Sequence, residues 1–195
     1  MLSEKLKHKK IILASGSPRR QQFLKDLGLD FEIRIREIEE IYPPELKAHE
    51  ITDYLAVLKS TAFDGDLQPE EILVTSDTIV WHEGVALGKP KDFDDAVKML
   101  RKMSDSTHEV FTSVCLKTTE AVTVFHDVTK VTFASMSDEA IHYYLETCRP
   151  FDKAGAYGIQ DWLGLTVISK IEGSYTNVVG LPTEKFYRYL SSFAV

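Results

Sequence analysis

Apolar residues recur along this chain with two periods: short runs and alternations that mark strands, and a three-to-four spacing that marks helices. Ile11-Ile12-Leu13-Ala14 reads as a short buried strand ending in Ser15-Gly16-Ser17-Pro18, residues that turn the chain and start a helix. Phe23, Leu24 and Leu27 continue at helical spacing until Gly28 supplies a stop. Phe31, Ile33 and Ile35 alternate with Glu32, Arg34 and Arg36, the period of a half-buried strand. Ile51, Tyr54, Leu55, Leu58 and Ala62 predict a second helix. Ile72-Leu73-Val74 predicts a buried strand that runs into Thr75-Ser76-Asp77-Thr78, and Glu83-Gly84 predicts a hairpin turn.

Further along, Asp92 is placed to cap a helix whose apolar face is Phe93, Ala96, Val97, Leu100 and Met103. Residues 110–117 and 121–134 are rich in β-branched side chains and predict strands, and Ser137 begins a helix carrying Ile141, Tyr144, Leu145 and Cys148. A strand is expected over 165–171, and Pro182 opens a terminal helix with Phe186, Tyr189, Leu190 and Phe193. Strands and helices mix without strict alternation. The expected fold is therefore α/β, a mixed twisted sheet with flanking helices. One domain over 1–195 is expected, ordered over about 11–193 behind a ten-residue extension, since the chain has no repeat, low-complexity tract or Gly/Ser linker.

Composition narrows the class. A hydrophobic fraction of 44% and a charged fraction of 27% suit a globular chain and argue against disorder. No apolar stretch approaches the length of a membrane helix, and the first ten residues lack the apolar core of a signal peptide. A soluble, cytoplasmic protein with no membrane partner is expected. The net charge of −7 argues against broad binding to nucleic acid, though a few local cations can still hold a small anion. Cys115 and Cys148 form no Cys-x-x-Cys pair, so buried free thiols are the reading. The six histidines show no His-x-x-x-His spacing, which gives a histidine metal site little support.

Polar clusters follow several of the predicted strands. Ser15-Gly16-Ser17-Pro18-Arg19-Arg20 joins a strand to a helix, where free amides, hydroxyls and guanidiniums suit phosphate oxygens, although the Walker ending is missing. Asp77, read at the end of a buried strand, is a candidate base or metal ligand; a turn aspartate is the blander reading. Lys89 sits between Gly88 and Pro90, Lys59 borders the apolar stripe of its helix, and Glu37, Glu39 and Glu40 form an acidic cluster. One carboxylate of that cluster, joined to Asp77, would offer the hard oxygens that Mg²⁺ favours. Residues 152–160 mix small residues with Tyr157 and Gln160, whose amide could pair with a base edge.

Singly these signals are weak, but their order resembles the Maf family over nearly the whole chain, from about Ile11 through the final helix. The stretches that carry the likeness are Leu13-Ala14-Ser15-Gly16-Ser17-Pro18-Arg19-Arg20, Ser76-Asp77-Thr78, Gly88-Lys89-Pro90, Thr107-His108-Glu109-Val110, residues 152–160 and residues 172–182. The resemblance implies two lobes around a central cleft, as in inosine triphosphatase-like folds, and a nucleotide pyrophosphatase using a divalent cation, Mg²⁺ or Mn²⁺. It implies Asp77 as proton acceptor and Glu40, Lys59, Lys89, Ser15 and Arg20 as residues around the reaction, with Asp77 and Glu40 on the metal. Arg19, Thr78 and Gln160 match the branch that prefers dTTP and UTP, including modified pyrimidine nucleotides. The other branch, which takes 7-methyl-GTP, carries Trp, Gln and Glu there. The family likeness is also compatible with a homodimer and with septum-formation inhibition by partner binding. Two departures stand out: Lys59 is flanked by Leu58 and Ser60 where relatives place Glu and Ala, and Ser76 replaces a common Ala.

Overall fold

The computed structural model describes residues 2–194. Among these, seven strands form one mixed sheet, with helices distributed between them along the chain. Strand β1 (Lys10–Leu13) leads to helix α2 (Pro18–Asp26), preceded by the short α1 (Leu2–Lys5). Then come β2 (Phe31–Ile33), α3 (His49–Thr61), β3 (Glu71–His82), β4 (Val85–Leu87) and α4 (Phe93–Met103). The long strands β5 (Thr107–Lys117) and β6 (Val122–Phe133) precede α5 (Asp138–Cys148) and α6 (Trp162–Thr166). The chain closes with β7 (Ile168–Glu172), α7 (Tyr175–Val179) and α8 (Thr183–Ser191). The sheet runs β2-β1-β3-β5-β6-β7, with β4 also on β3. Strand β1 is parallel to both neighbours, whereas β4 and β7 pair antiparallel, so the sheet is mixed as the pattern predicts.

Local chemistry accounts for the ends of these elements. Ser17 accepts from the Arg20 amide at 3.5 Å and Pro18 occupies the first helical position of α2. The far end closes with Gly28 at φ 67°: its amide donates to the Lys25 carbonyl and that of Leu29 to Leu24, while Leu24 and Leu29 are both buried. Only this left-handed geometry lets both late carbonyls find donors. Glu83 and Gly84, both at positive φ, form the predicted hairpin between β3 and β4. Asp92 accepts from the Asp95 amide at 2.8 Å and caps α4, whose Ala96, Val97, Leu100 and Met103 are buried.

Two expectations need correction. Residues 165–171 are not one strand: α6 ends at Thr166, Leu165 lies exposed on it, and the strand begins at Ile168. An apolar run of this length fits either element by pattern alone. Asp77, expected at the end of a strand, lies in the middle of β3, because the small polar residues Thr75 to Thr78 continue the strand.

The chain divides into two compact units, one comprising the chain up to Asp77, Thr112–Asp127 and the chain from Gly180 onward, the other Thr78–Phe111 and Val128–Val179. In the first, Leu13, Leu24, Ile72, Val74, Val114 and Phe186 share a core that Leu2 and Leu6 also enter. In the second, Leu100, Met103, Phe133, Tyr144 and Leu145 do the same from α4, β6 and α5. No helix among the described residues is long and apolar enough to cross a membrane. Cys115 and Cys148 are free thiols, Cys115 buried.

Candidate active site

Strand β3 alternates its faces. Ile72 and Val74 point into the core of the first unit, which turns Leu73, Thr75 and Asp77 the other way. Helix α3 lies on that side: the Thr75 hydroxyl donates to the Ala56 carbonyl at 2.6 Å. Lys59 is one turn further along α3 than Ala56, and Asp77 is the next residue on the same face of β3. The two elements therefore meet a second time, with Lys59 Nζ donating to Asp77 Oδ1 at 2.6 Å. The ammonium also lies 3.1 Å from Glu40 Oε1. Asp77 is buried and Lys59 nearly so, while Glu40 is half-exposed on the segment after β2. A single cation thus bridges two carboxylates that are 37 positions apart in sequence.

Arg20 braces the other side of this centre. Its Nε donates to the Gly180 carbonyl at 2.8 Å and its Nη1 to the Ser76 carbonyl at 3.0 Å, with Ser15 Oγ at 3.4 Å. Burial pulls its pKa below the ordinary arginine value, against the opposing fields of Asp77 and Glu40. Ser15 Oγ also accepts from the Ser17 amide at 3.3 Å, so the start of α2 is tied into the same network. Ser76 Oγ, on the opposite face from Asp77, is buried without a hydrogen-bond partner in the described structure.

Ser15, Arg20, Glu40, Lys59 and Asp77, five of the residues singled out in the sequence, come together in the first unit. Arg19 belongs to this unit too, half-buried on the first turn of α2 and close enough for its charge to lower the Arg20 pKa. Thr78, Lys89 and Gln160 belong to the second unit. Thr78 is half-buried in β3, while Lys89 and Gln160 are exposed. Within that unit the Gly155 amide donates to the Gly88 carbonyl at 3.0 Å, which ties the Lys89 loop to the segment carrying Gln160. A Cβ on Gly155 would stand 2.9 Å from Val80 Cγ2, so glycine is what lets this segment lie against β3.

The donors around Lys59 suit a hard divalent cation. Asp77 and Glu40 both reach one ammonium, so their oxygens already converge where a positive charge sits, and oxygen ligands are those Mg²⁺ and Mn²⁺ accept. Backbone partners escaped the sequence reading: nothing in residue types reveals that the carbonyls of Ser76 and Gly180 hold Arg20. A second cluster, His49, Asp53 and His126, also escaped it, because its members come from two distant elements.

The family described as Maf-like protein matches residues 10–193. A protein of Flavobacterium johnsoniae named dTTP/UTP pyrophosphatase is 67% identical over 192 residues, 98% of this chain and 99% of its own. A protein of the same name from Flavobacterium psychrophilum is 64% identical over 190 residues, 97% of each chain. Among solved structures the chain is similar to the Staphylococcus aureus Ham1 protein, with a TM-score of 0.48 and 15% identity over 65% of this chain and 72% of that one.

Proposed function

Because the chain belongs to the Maf family, we propose that it hydrolyses dTTP and UTP to the nucleoside monophosphate and pyrophosphate. Two relatives of that name at 67% and 64% identity, aligned nearly end to end, support the activity. The observation that carries the chemistry is the Lys59 ammonium held between Asp77 and Glu40, 2.6 and 3.1 Å away. Phosphoryl transfer of this kind is mostly positioning and charge neutralisation, and this arrangement of one ammonium and two carboxylates can supply both.

In this reading Asp77 takes the proton from a water whose oxygen attacks the α-phosphorus. The α-phosphorus–oxygen bond towards the β-phosphate breaks, and pyrophosphate leaves with that electron pair. Lys59 orients the Asp77 carboxylate through its 2.6 Å hydrogen bond. Arg20 fixes the 15–20 turn against β3, so that Ser15 and the amides at the start of α2 are set for phosphate oxygens. A divalent cation, Mg²⁺ or Mn²⁺, would be held by Asp77 and Glu40, and when bound it neutralises charge on the phosphate oxygens. Arg19, Thr78 and Gln160 select a pyrimidine, and Lys89 offsets charge on the departing pyrophosphate. Those three selectivity residues favour this reading over 7-methyl-GTP hydrolysis.

The test is a turnover screen across ordinary and modified nucleoside triphosphates with Mg²⁺ or Mn²⁺, reading pyrophosphate. Preferred hydrolysis of dTTP and UTP is expected, with Gln160→Glu narrowing the preference over 7-methyl-GTP. Release of orthophosphate, or a preference for 7-methyl-GTP in the unaltered protein, would overturn the assignment.

A further inference from the structure

A second cluster of metal-ligating side chains lies elsewhere in the first unit, away from the residues of the proposed hydrolysis. His49 and Asp53 are four residues apart on the first turns of α3 and so share one face of that helix. His126 reaches them from β6. Its Nδ1 is 3.2 Å from Asp53 Oδ2, and its ring lies 4.1 Å, centroid to centroid, from that of His49, tilted by 30°. One ligand atom from each of the three side chains lies within 4.8 Å of the other two. All three are half-buried, shielded enough to hold an ion and open enough for one to enter.

The surroundings fix this trio in the way that metal ligands are fixed. Ser113 Oγ, on β5, donates to the other oxygen of Asp53 at 2.6 Å, leaving Oδ2 directed at His126. Lys185 Nζ donates to the His126 carbonyl at 2.9 Å and to Asp127 at 2.8 Å, which pins the strand that presents His126. Asp53 and His126 also line a groove of about 630 Å³ whose walls include Tyr54, Lys185 and Tyr189. Two imidazoles and one carboxylate make a nitrogen-rich donor set, which suits borderline transition ions and not Mg²⁺. Bonds of about 2.0–2.1 Å to a tetrahedral ion need ligand atoms roughly 3.3 Å apart, so modest side-chain rotations suffice. Three protein ligands would leave a fourth position for water on the groove side.

We propose that His49, Asp53 and His126 form a binding site for a Zn²⁺-class divalent ion that ties the start of α3 to β6. The site is separate from the Asp77 centre. Lys59 is six residues beyond Asp53 on α3, about 9 Å along the axis and about 240° around it, on a different face.

The experiment follows thermal unfolding of metal-stripped full-length protein during Zn²⁺ and Mg²⁺ titrations, with calorimetry for affinity. A saturable rise in melting temperature with Zn²⁺ is expected, since an ion bound only by the folded state stabilises it, and any Mg²⁺ response, which would come from Asp77 and Glu40, should be untouched by the histidine variants. His126→Gln should weaken Zn²⁺ binding tenfold or more, and His49→Ala, a change on the half-buried first turn of α3, should do the same without touching β6. Asp77→Asn should leave the Zn²⁺ response in place, which distinguishes this site from the proposed catalytic one. No Zn²⁺ response in the unaltered protein overturns the proposal. So does a response that both histidine variants retain at full affinity, or one lost only in Asp77→Asn.

Discussion

At Asp77 a carboxylate is buried without being isolated, because Lys59 supplies its counter-charge at 2.6 Å. Replacing it by asparagine keeps the shape and removes the negative charge that the proposed reaction requires. Asp77→Asn should lower turnover of dTTP by about 10² to 10⁴ while the far-ultraviolet circular dichroism stays unchanged. Full turnover in that variant would remove Asp77 from the mechanism. A different residue begins the response to acid. His108 is buried, and burial, with a lesser contribution from the charge of His82, pushes its pKa down from 6.5 to about 3. Its Nε2 is bonded to Tyr157 Oη at 2.7 Å, and burial holds that phenol well above its ordinary value, so the phenol keeps its proton. Between pH 6.5 and about 3 the unfolded chain binds a proton at this position and the folded chain does not, so stability falls with pH across that window. The loss at pH 5 is about 2 kcal/mol. His108→Gln, which cannot titrate, should show a smaller drop in melting temperature between pH 7 and pH 5 than the unaltered protein.

Among the elements, the short turn at Ala154–Ala156 shows how a backbone requirement becomes a packing requirement. Gly155 has φ 66°, and a Cβ there would strike Val80. Gly155→Ala should cost about 1–3 kcal/mol, part from the left-handed backbone and part from the contact with β3. Adding Val80→Ala should relieve the contact and leave the backbone cost, so the two substitutions should be measurably non-additive in denaturant melts. Strict additivity would show that Val80 does not limit the space at Gly155. Helix caps were readable in advance: Ser17, Asp92 and Ser137 each accept from the amide three residues on, as their positions before apolar stripes indicate. The 165–171 segment was not, because its apolar residues satisfy both periods over so short a span.

For the molecule as a whole, an ion-pair cluster holds together the strands where the sheet begins. Arg34, after β2, reaches Glu71 through both terminal nitrogens, at 3.2 and 2.9 Å, and Glu32 at 3.0 Å; Lys10 of β1 pairs with Glu32 at 2.5 Å. Glu71 is almost wholly buried, and its hydrogen bonds from Arg34 hold its pKa below the ordinary glutamate value of 4.5. A carboxylate with a lowered folded pKa stabilises above its unfolded value and loses that contribution as pH falls through the folded one. The protein should therefore lose stability to acid in two stages, beginning below pH 6.5 through His108 and steepening below pH 4.5 through Glu71. Glu71→Gln should be less stable at pH 7 by about 1–3 kcal/mol and should show a shallower second stage, since Glu32 of the same cluster also has a lowered pKa. An acid melt of that variant with the same steepening would place its cause elsewhere.

The sequence by itself determined the elements with one clear period, their caps and hairpin turn, the mixed α/β class and the set of charged residues worth watching. Those properties depend on near neighbours in the chain, and a near neighbour is what periodicity and capping record. It did not determine that Thr75, Ser76 and Asp77 stay in an extended strand. Small polar residues signal a turn unless a partner satisfies them, and here the partners are Ala56 and Lys59 from another element. Nor could it show that Lys59 joins Asp77 to Glu40, that Arg20 ends on two backbone carbonyls, or that His49 and His126 face each other. Convergence of distant side chains is a consequence of how α3 packs on the sheet, and packing is decided by cores that no local spacing encodes.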